Sequence, residues 1–231
     1  MGEIIGIMQP TYLPWLGFFE LMQGCDQFVF LDDVQFIKKD WLQRNRIKVN
    51  ENFLWLTVPI ITKGRRFQKI VDSEINNQIN WASKHLKSIK FYYQKAQYFD
   101  KYFPFLEEIY KKRWTKLIDL NIALISFLCE QLKIKTPYAY SSNLTGIREE
   151  RNDRIIDICK SFDCKKMYDA EGARSIIDSE KINEAGISII FQKYDHPHYN
   201  QLHGKFISHL SVIDLLFNEG NNSLDIIRQG A

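Results

Sequence analysis

The segment Glu3-Ile4-Ile5-Gly6-Ile7-Met8, Gln9-Pro10-Thr11-Tyr12-Leu13-Pro14, Trp15–Gly24, Gln27-Phe28-Val29-Phe30-Leu31 and Asp32-Asp33 reads as strand, turn, helix and strand in series. The first run is continuously apolar, as a buried strand requires. Positions 15, 16, 18, 19, 21 and 22 are apolar, which suits a buried helix, and Gly24 stands at its C-terminal stop. Gln27–Leu31 is a second short β-prone run. Two strands joined by a helix within about thirty residues form a βαβ unit with parallel strands. In open α/β sheets, ligand chemistry sits in the loops beyond the strand ends. The segment is therefore expected to be the floor of an active site.

Further along, Arg46–Val49 and Phe53–Val58 read as a hairpin around Asn50-Glu51-Asn52, ended by Pro59. Thr62–Arg66 reads as an exposed basic loop, and Ile70–Ile75 as a further strand. Helices are expected over Trp81–Tyr93, with Asn80 as N-cap, and over Tyr98–Lys112, Arg113–Leu132, Arg148–Phe162 and Leu210–Phe217. Ser141-Ser142-Asn143 reads as a loop. Lys166–Tyr168 and Ile187–Phe191 are strand candidates, so the strand–helix alternation resumes late in the chain. The expected fold is α/β: a Rossmann-like parallel-sheet core in one domain spanning 1–231, with 78–135 a mostly helical insertion.

Composition narrows the function. The 231 residues are 45% hydrophobic and 14% aromatic, enough for a sizeable core, with aromatic faces to spare for stacking. A net charge of +3 does not argue for nucleic acid. No apolar run approaches the ~20 residues of a membrane span. Met1-Gly2-Glu3 leads into too short an apolar run for a secretory signal. Cys25, Cys129, Cys159 and Cys164 show no paired spacing and read as reduced thiols, so a cytoplasmic setting is expected.

Several residues carry chemistry. Asp32 and Asp33 end the second strand, one facing each side of the sheet. Either could bind substrate or act as a base, or cap a turn instead. Gln9, Thr11 and Tyr12 lie on a turn stiffened by two prolines, which holds them at fixed angles. Trp41, Gln43, Arg44, Asn45 and Arg46 combine a stacking face with forks that match phosphate. As an alternative, Arg44 and Arg46 would pair with Asp32 and Asp33 in a structural network. His85 reads as structural or exposed. Asp195-His196-Pro197-His198-Tyr199 follows a strand candidate, and neutral imidazole is a natural general base. Two histidines with a nearby acid also suggest zinc, but no third ligand stands at standard spacing, and no metal is expected. Ser211, Asp214 and Asn218 share one face of the last helix.

Taken together, Gln9-Pro-x-Tyr-Leu-Pro-Trp-Leu-Gly17, Asp32-Asp-Val-Gln-Phe36, Trp41-x-Gln-Arg-Asn-Arg-Ile-Lys48, Trp55-Leu-Thr-Val-Pro59, Phe191-Gln-Lys-Tyr194, His196-Pro-His-Tyr199 and Leu210–Asn218 resemble the WbqC-like family, nearly from end to end. That resemblance implies a role in bacterial O-antigen or other surface-polysaccharide synthesis, with glycine transfer as the suggested reaction. The substrates implied are a nucleotide-linked amino sugar and an activated glycine. The donor would be a carrier thioester, a charged tRNA, or an adenylate made with ATP. In such a reaction His196, His198, Asp33 or Asp32 would serve as base. Gln9, Tyr12 and Asn45 would donate hydrogen bonds, and Trp15, Trp41, Arg44 and Arg46 would bind the substrate. A fainter resemblance links the opening strand–turn–helix to the nucleotidylyltransferase superfamily. Its His-x-Gly-His signature is missing, because Tyr12 and Trp15 stand where the histidines would be. Glycosyl or nucleotidyl transfer, and a non-catalytic role in a polysaccharide assembly complex, remain alternatives.

Overall fold

The computed structural model describes residues 3–231; Met1 and Gly2 lie outside the described residues. Its centre is a five-stranded sheet built from β1 (Ile4–Met8), β2 (Gln27–Phe30), β5 (Tyr138–Tyr140), β6 (Lys166–Ala170) and β7 (Ser188–Gln192). The strand order is β5-β2-β1-β6-β7, and every pairing is parallel. Counted along the chain, that is the doubly wound 3-2-1-4-5 order, so the fold is Rossmann-like α/β. Connections leave β1 on one side of the sheet and β6 on the other, which opens a crevice between their C-terminal ends.

Each face of the sheet is covered. On one face α1 (Leu16–Gln23) packs with Phe28 and Phe30 of β2. The same core takes in α2 (Trp81–Tyr93), α3 (Phe99–Lys111), α4 (Leu117–Leu132) and α7 (Val212–Glu219). On the other face Ile5, Ile7, Val29 and Met167 meet Ile155, Ile156 and Ile158 of α5 (Arg151–Ser161) and Ile182 of α6 (Ser179–Glu184). Alternate side chains of one strand thus enter two separate cores. Gly6 is required at the centre of β1. A methyl there would lie 2.8 Å from the Cys25 sulfur and 3.0 Å from Leu21.

The hairpin forms as read, with β3 (Arg44–Val49) pairing antiparallel to β4 (Asn52–Thr57). Two readings need correction. Ile70–Ile75 is not a strand: Ile70–Asp72 is a short 3-10 turn, and Ile75 makes only an isolated bridge to Ile60. Its β-branched residues serve burial, with Ile70 and Ile75 both in the main core. Second, β5 has no counterpart in the sequence reading. Its three residues are too few for periodicity to register, and only pairing with β2 makes them a strand. Asn80 precedes α2, but its side chain makes no cap hydrogen bond. No helix among the described residues is long and apolar enough to cross a membrane.

Candidate functional site

Two groups of residues meet around the loop from β1 to α1. The first is an aromatic and basic cluster at the start of α1. The Trp15 ring stacks on His209 with centroids 5.1 Å apart and on His196 at 6.3 Å, and meets Tyr194 edge-on at 5.4 Å. His196 also stacks on Tyr199 at 6.3 Å and touches Phe206. Arg46 crosses to this group from β3, donating from Nη2 to the His209 carbonyl at 2.8 Å. Its guanidinium lies 5.5 Å from the Trp41 ring centre and 4.8 Å from Phe53, while Arg44 lies 4.2 Å from Trp55. Trp15, Trp41, Arg44, Arg46 and His196, far apart in sequence, therefore form one surface.

Backbone ties hold this surface together. Ser211 N–H donates to the Arg46 carbonyl and Val212 N–H to the Pro14 carbonyl, both at 2.9 Å. Two residues beside these ties adopt left-handed backbone, Leu13 at φ 44° and His209 at φ 58°. For a leucine preceding proline this conformation is doubly disfavoured, costing of the order of 1–3 kcal/mol. Asn45 holds it there, donating from Nδ2 to the Leu13 carbonyl at 2.6 Å and to the Tyr12 carbonyl at 3.3 Å. Such strain survives only where surrounding contacts enforce it, and it gathers at functional sites.

Gly17 makes room for Trp15. A β-carbon at Gly17 would lie 2.3 Å from the Trp15 ring. Gly→Ala inside a helix normally stabilises by about 1 kcal/mol. Here overpacking, worth roughly 1–3 kcal/mol, outweighs that gain. Gly17→Ala is expected to lower the denaturation midpoint and alter the near-ultraviolet tryptophan circular dichroism. An unchanged spectrum with raised stability would show that the Trp15 ring is not seated there.

Burial sets the protonation of His196. It lowers the imidazole pKa to about 4, so the ring is neutral near pH 7. Nδ1 lies 3.0 Å from the Pro197 carbonyl. A neutral ring must donate there, which leaves Nε2 as the acceptor nitrogen. Nε2 is buried and has no hydrogen-bond partner among the described residues. Tyr199, stacked on His196, donates its hydroxyl to the buried Asp214 at 2.8 Å, and Tyr93 donates to the same carboxylate at 2.7 Å. Burial raises the Asp214 pKa to about 6 against those two hydrogen bonds. His198 is exposed, 4.2 Å from Phe206, and lines a cleft of about 430 Å³ with Tyr199, Asn200 and Glu219.

The second group occupies the crevice between β1 and β6. Asp169, near the end of β6, is 7% exposed, and burial raises its pKa to about 7. It accepts a hydrogen bond from the adjacent Ala170 N–H, at 2.7 Å, and it has no cation beside it among the described residues. Asp169 lies two residues beyond Met167 and so shares the sheet face covered by α5. Gln9, at the end of β1, is partly exposed, and its side chain has no hydrogen-bond partner among the described residues. Sequence reading missed Asp169. The available signal was an acid near the end of a short apolar strand, followed by Glu171-Gly172.

Asp32 and Asp33 do not point to opposite sides of the sheet as expected: both carboxylates converge on the Ser141 hydroxyl, and both are engaged. Asp32 accepts from the Ser142 N–H at 2.9 Å and from the Ser142 and Ser141 hydroxyls at 2.7 and 3.1 Å, which clamps the 3-10 turn after β5. Asp33 accepts from Ser141 and pairs with Arg154 of α5. Burial alone would raise the Asp33 pKa. The Ser141 and Arg154 hydrogen bonds hold it below the usual carboxylate value. The cation that pairs with Asp33 is thus Arg154, not Arg44 or Arg46.

Tyr12 and Asn45 belong to the scaffold of the loop. Tyr12 is fully enclosed, its hydroxyl bonded to Tyr110 and, at 2.9 Å, to Nδ1 of His85. Burial keeps that His85 neutral, with a pKa of about 4. Among the described residues, no group of three or more His, Cys, Asp or Glu is placed to hold a metal ion.

Residues 9–226 match the WbqC-like protein family. An uncharacterized protein of Mycobacterium tuberculosis, Rv1507c, is 34% identical over 226 residues, covering 97% of each chain. No solved structure matches the chain with significance. The matched region contains the β1–α1 loop, the hairpin and the His196 segment, so the features that build the site lie inside it. The chain belongs to the WbqC-like protein family.

Proposed function

We propose that this protein is a transferase that acylates the amino group of a nucleotide-linked amino sugar, with glycine as the acyl group, in bacterial surface-polysaccharide synthesis. The observation that carries the reading is the neutral His196, its Nε2 lone pair buried and unused beside stacking rings and an arginine fork. Acyl transfer to an amine requires such a base. The sugar nitrogen attacks the glycyl carbonyl carbon and a C–N bond forms. His196 Nε2 takes the proton from that nitrogen. The bond from the carbonyl carbon to the donor's sulfur or oxygen breaks, and the imidazolium returns its proton to that leaving atom.

The same surface suits the rest of the substrate. Trp41, which is exposed, offers a stacking face, Trp15 holds His196 and His209 in place, and Arg44 and Arg46 offer guanidinium forks for a diphosphate. Among the described residues, the Nε atoms of both arginines are buried with no hydrogen-bond partner, so each keeps a donor in reserve. Gln9 supplies an uncommitted amide at the crevice. Asp169 is the acid best placed to bind the sugar amine or exchange a proton near neutral pH.

The test is mass spectrometry of products after incubation with a panel of nucleotide-linked amino sugars. Glycyl carrier thioester, glycyl-tRNA, and glycine with ATP are offered in separate arms. A glycyl adduct is expected with one donor, and His196→Ala should slow its formation by roughly 10²–10⁴-fold. No adduct with any donor across the panel sinks the proposal.

A further inference from the structure

We infer that the paired segments 35–40 and 62–69 form a docking surface for an anionic lipid membrane. The two segments run antiparallel beside each other. Phe36 N–H donates to the Gln68 carbonyl and Ile70 N–H to the Val34 carbonyl, both at 2.9 Å, and Gln35 bridges to Lys69. The Gln35 side chain also donates to the Arg66 carbonyl at 3.1 Å. The next pair in that register is Ile37 and Phe67. Both are open to solvent, Phe67 at 75% and Ile37 at 54%.

Cations surround this apolar pair. The two segments contain Lys38, Lys39, Lys63, Arg65, Arg66 and Lys69 against the single acid Asp40. That local excess of five exceeds the +3 of the whole chain. Arg65 is neutralised by Glu74 at 3.0 Å, and Asp40 is occupied by the Trp41 N–H at 2.5 Å. Lys38, Lys39, Lys63, Arg66 and Lys69 have no acidic partner among the described residues. Unpaired cations around two protruding apolar side chains match a lipid interface. The headgroups meet the charges, and Phe67 and Ile37 enter the acyl boundary.

Ile37 separates this reading from nucleic-acid binding. Base stacking uses flat faces, which phenylalanine has and isoleucine lacks. An exposed isoleucine gains from hydrocarbon and nothing from a base. The segment 35–40 runs directly into Trp41, an exposed residue of the candidate site, so docking would bring that site to the membrane. The inference does not depend on which transfer reaction the site performs.

Vesicle sedimentation tests it with the full chain. Binding is expected to phosphatidylcholine vesicles containing phosphatidylglycerol and not to phosphatidylcholine alone, and to fall steeply with salt. Each cation near such a surface contributes roughly fivefold. The triple variant Lys38→Glu, Lys39→Glu, Arg66→Glu should therefore lose more than about 100-fold. Phe67→Ala should lose severalfold and keep its salt dependence. All four side chains lie on the exposed surface, and circular dichroism checks that the variants fold. Failure to bind the anionic vesicles, equal binding to both vesicle types, or full binding by the triple variant overturns the inference. So does tighter binding to tRNA than to anionic vesicles through the same cations.

Discussion

Asp169→Asn is expected to stabilise the protein above neutral pH and to abolish or severely reduce its activity. In the unfolded chain this carboxyl ionises near the ordinary aspartate value of 3.8, and in the folded protein burial moves that to about 7. Between those values the folded state keeps a proton that the unfolded state has lost. Stability from this group therefore falls as pH rises through the window, and the full penalty is present above about 7. A tenfold change in an ionisation equilibrium is worth about 1.4 kcal/mol, so asparagine should gain about 2–4 kcal/mol at alkaline pH. In a chain of this size that is about 5–10 °C in Tm. At pH values below 3.8 the wild-type acid is largely neutral in both states, and the difference should vanish. Thermal melts of both proteins across this range check the sign. A variant less stable than wild type at high pH would show that the carboxylate is well solvated or paired in the folded state. A buried acid kept against a stability cost is the usual mark of a working group, and gain of stability with loss of activity is the expected exchange.

Asp33→Ala is expected to act in the opposite direction, with a loss of about 3–5 kcal/mol, because Arg154 would be left buried and uncompensated. Replacing both partners with Asp33→Leu and Arg154→Met should recover most of that loss, since a buried pair costs much of its attraction in desolvation. The Asp33 pKa is depressed in the folded state. Its contribution is thus present at neutral pH and disappears as pH falls through the folded-state value. Urea denaturation of Asp33→Leu, Arg154→Met and the double variant carrying both, read as a cycle, measures the coupling. If Asp33→Ala keeps wild-type stability while losing activity, Asp33 belongs to the reacting groups and not to the frame.

These two acids show what separates a legible site residue from an illegible one. Asp33 stands out in the sequence because it follows an acid at the end of a recognisable strand. Its partner, Arg154, lies 121 positions away on α5, and nothing in the local pattern of either residue announces the pairing. Asp169 looks ordinary in sequence. Its significance comes entirely from burial without a counter-charge. Similarly, Tyr12 and Asn45 sit in the most diagnostic motifs, and the fold uses them to hold the β1–α1 loop. His196, Trp15 and Arg46 are each legible as residue types suited to binding or proton transfer. Their convergence is not, because it depends on the 194–212 segment returning over α1.

The βαβ opening, the hairpin, the helix positions and the late return to strand–helix alternation follow from the sequence, because periodicity and turn chemistry act over a few residues. Family membership follows from long motifs of uncommon residues. The sheet order, the third parallel strand Tyr138–Tyr140 and the loss of the expected strand at Ile70–Ile75 belong to tertiary structure, because pairing and shared burial decide them. So does the sorting of acids into frame and site. A carboxylate's role is set by which charges and donors the whole chain brings within a few ångströms, and by how much water that packing leaves.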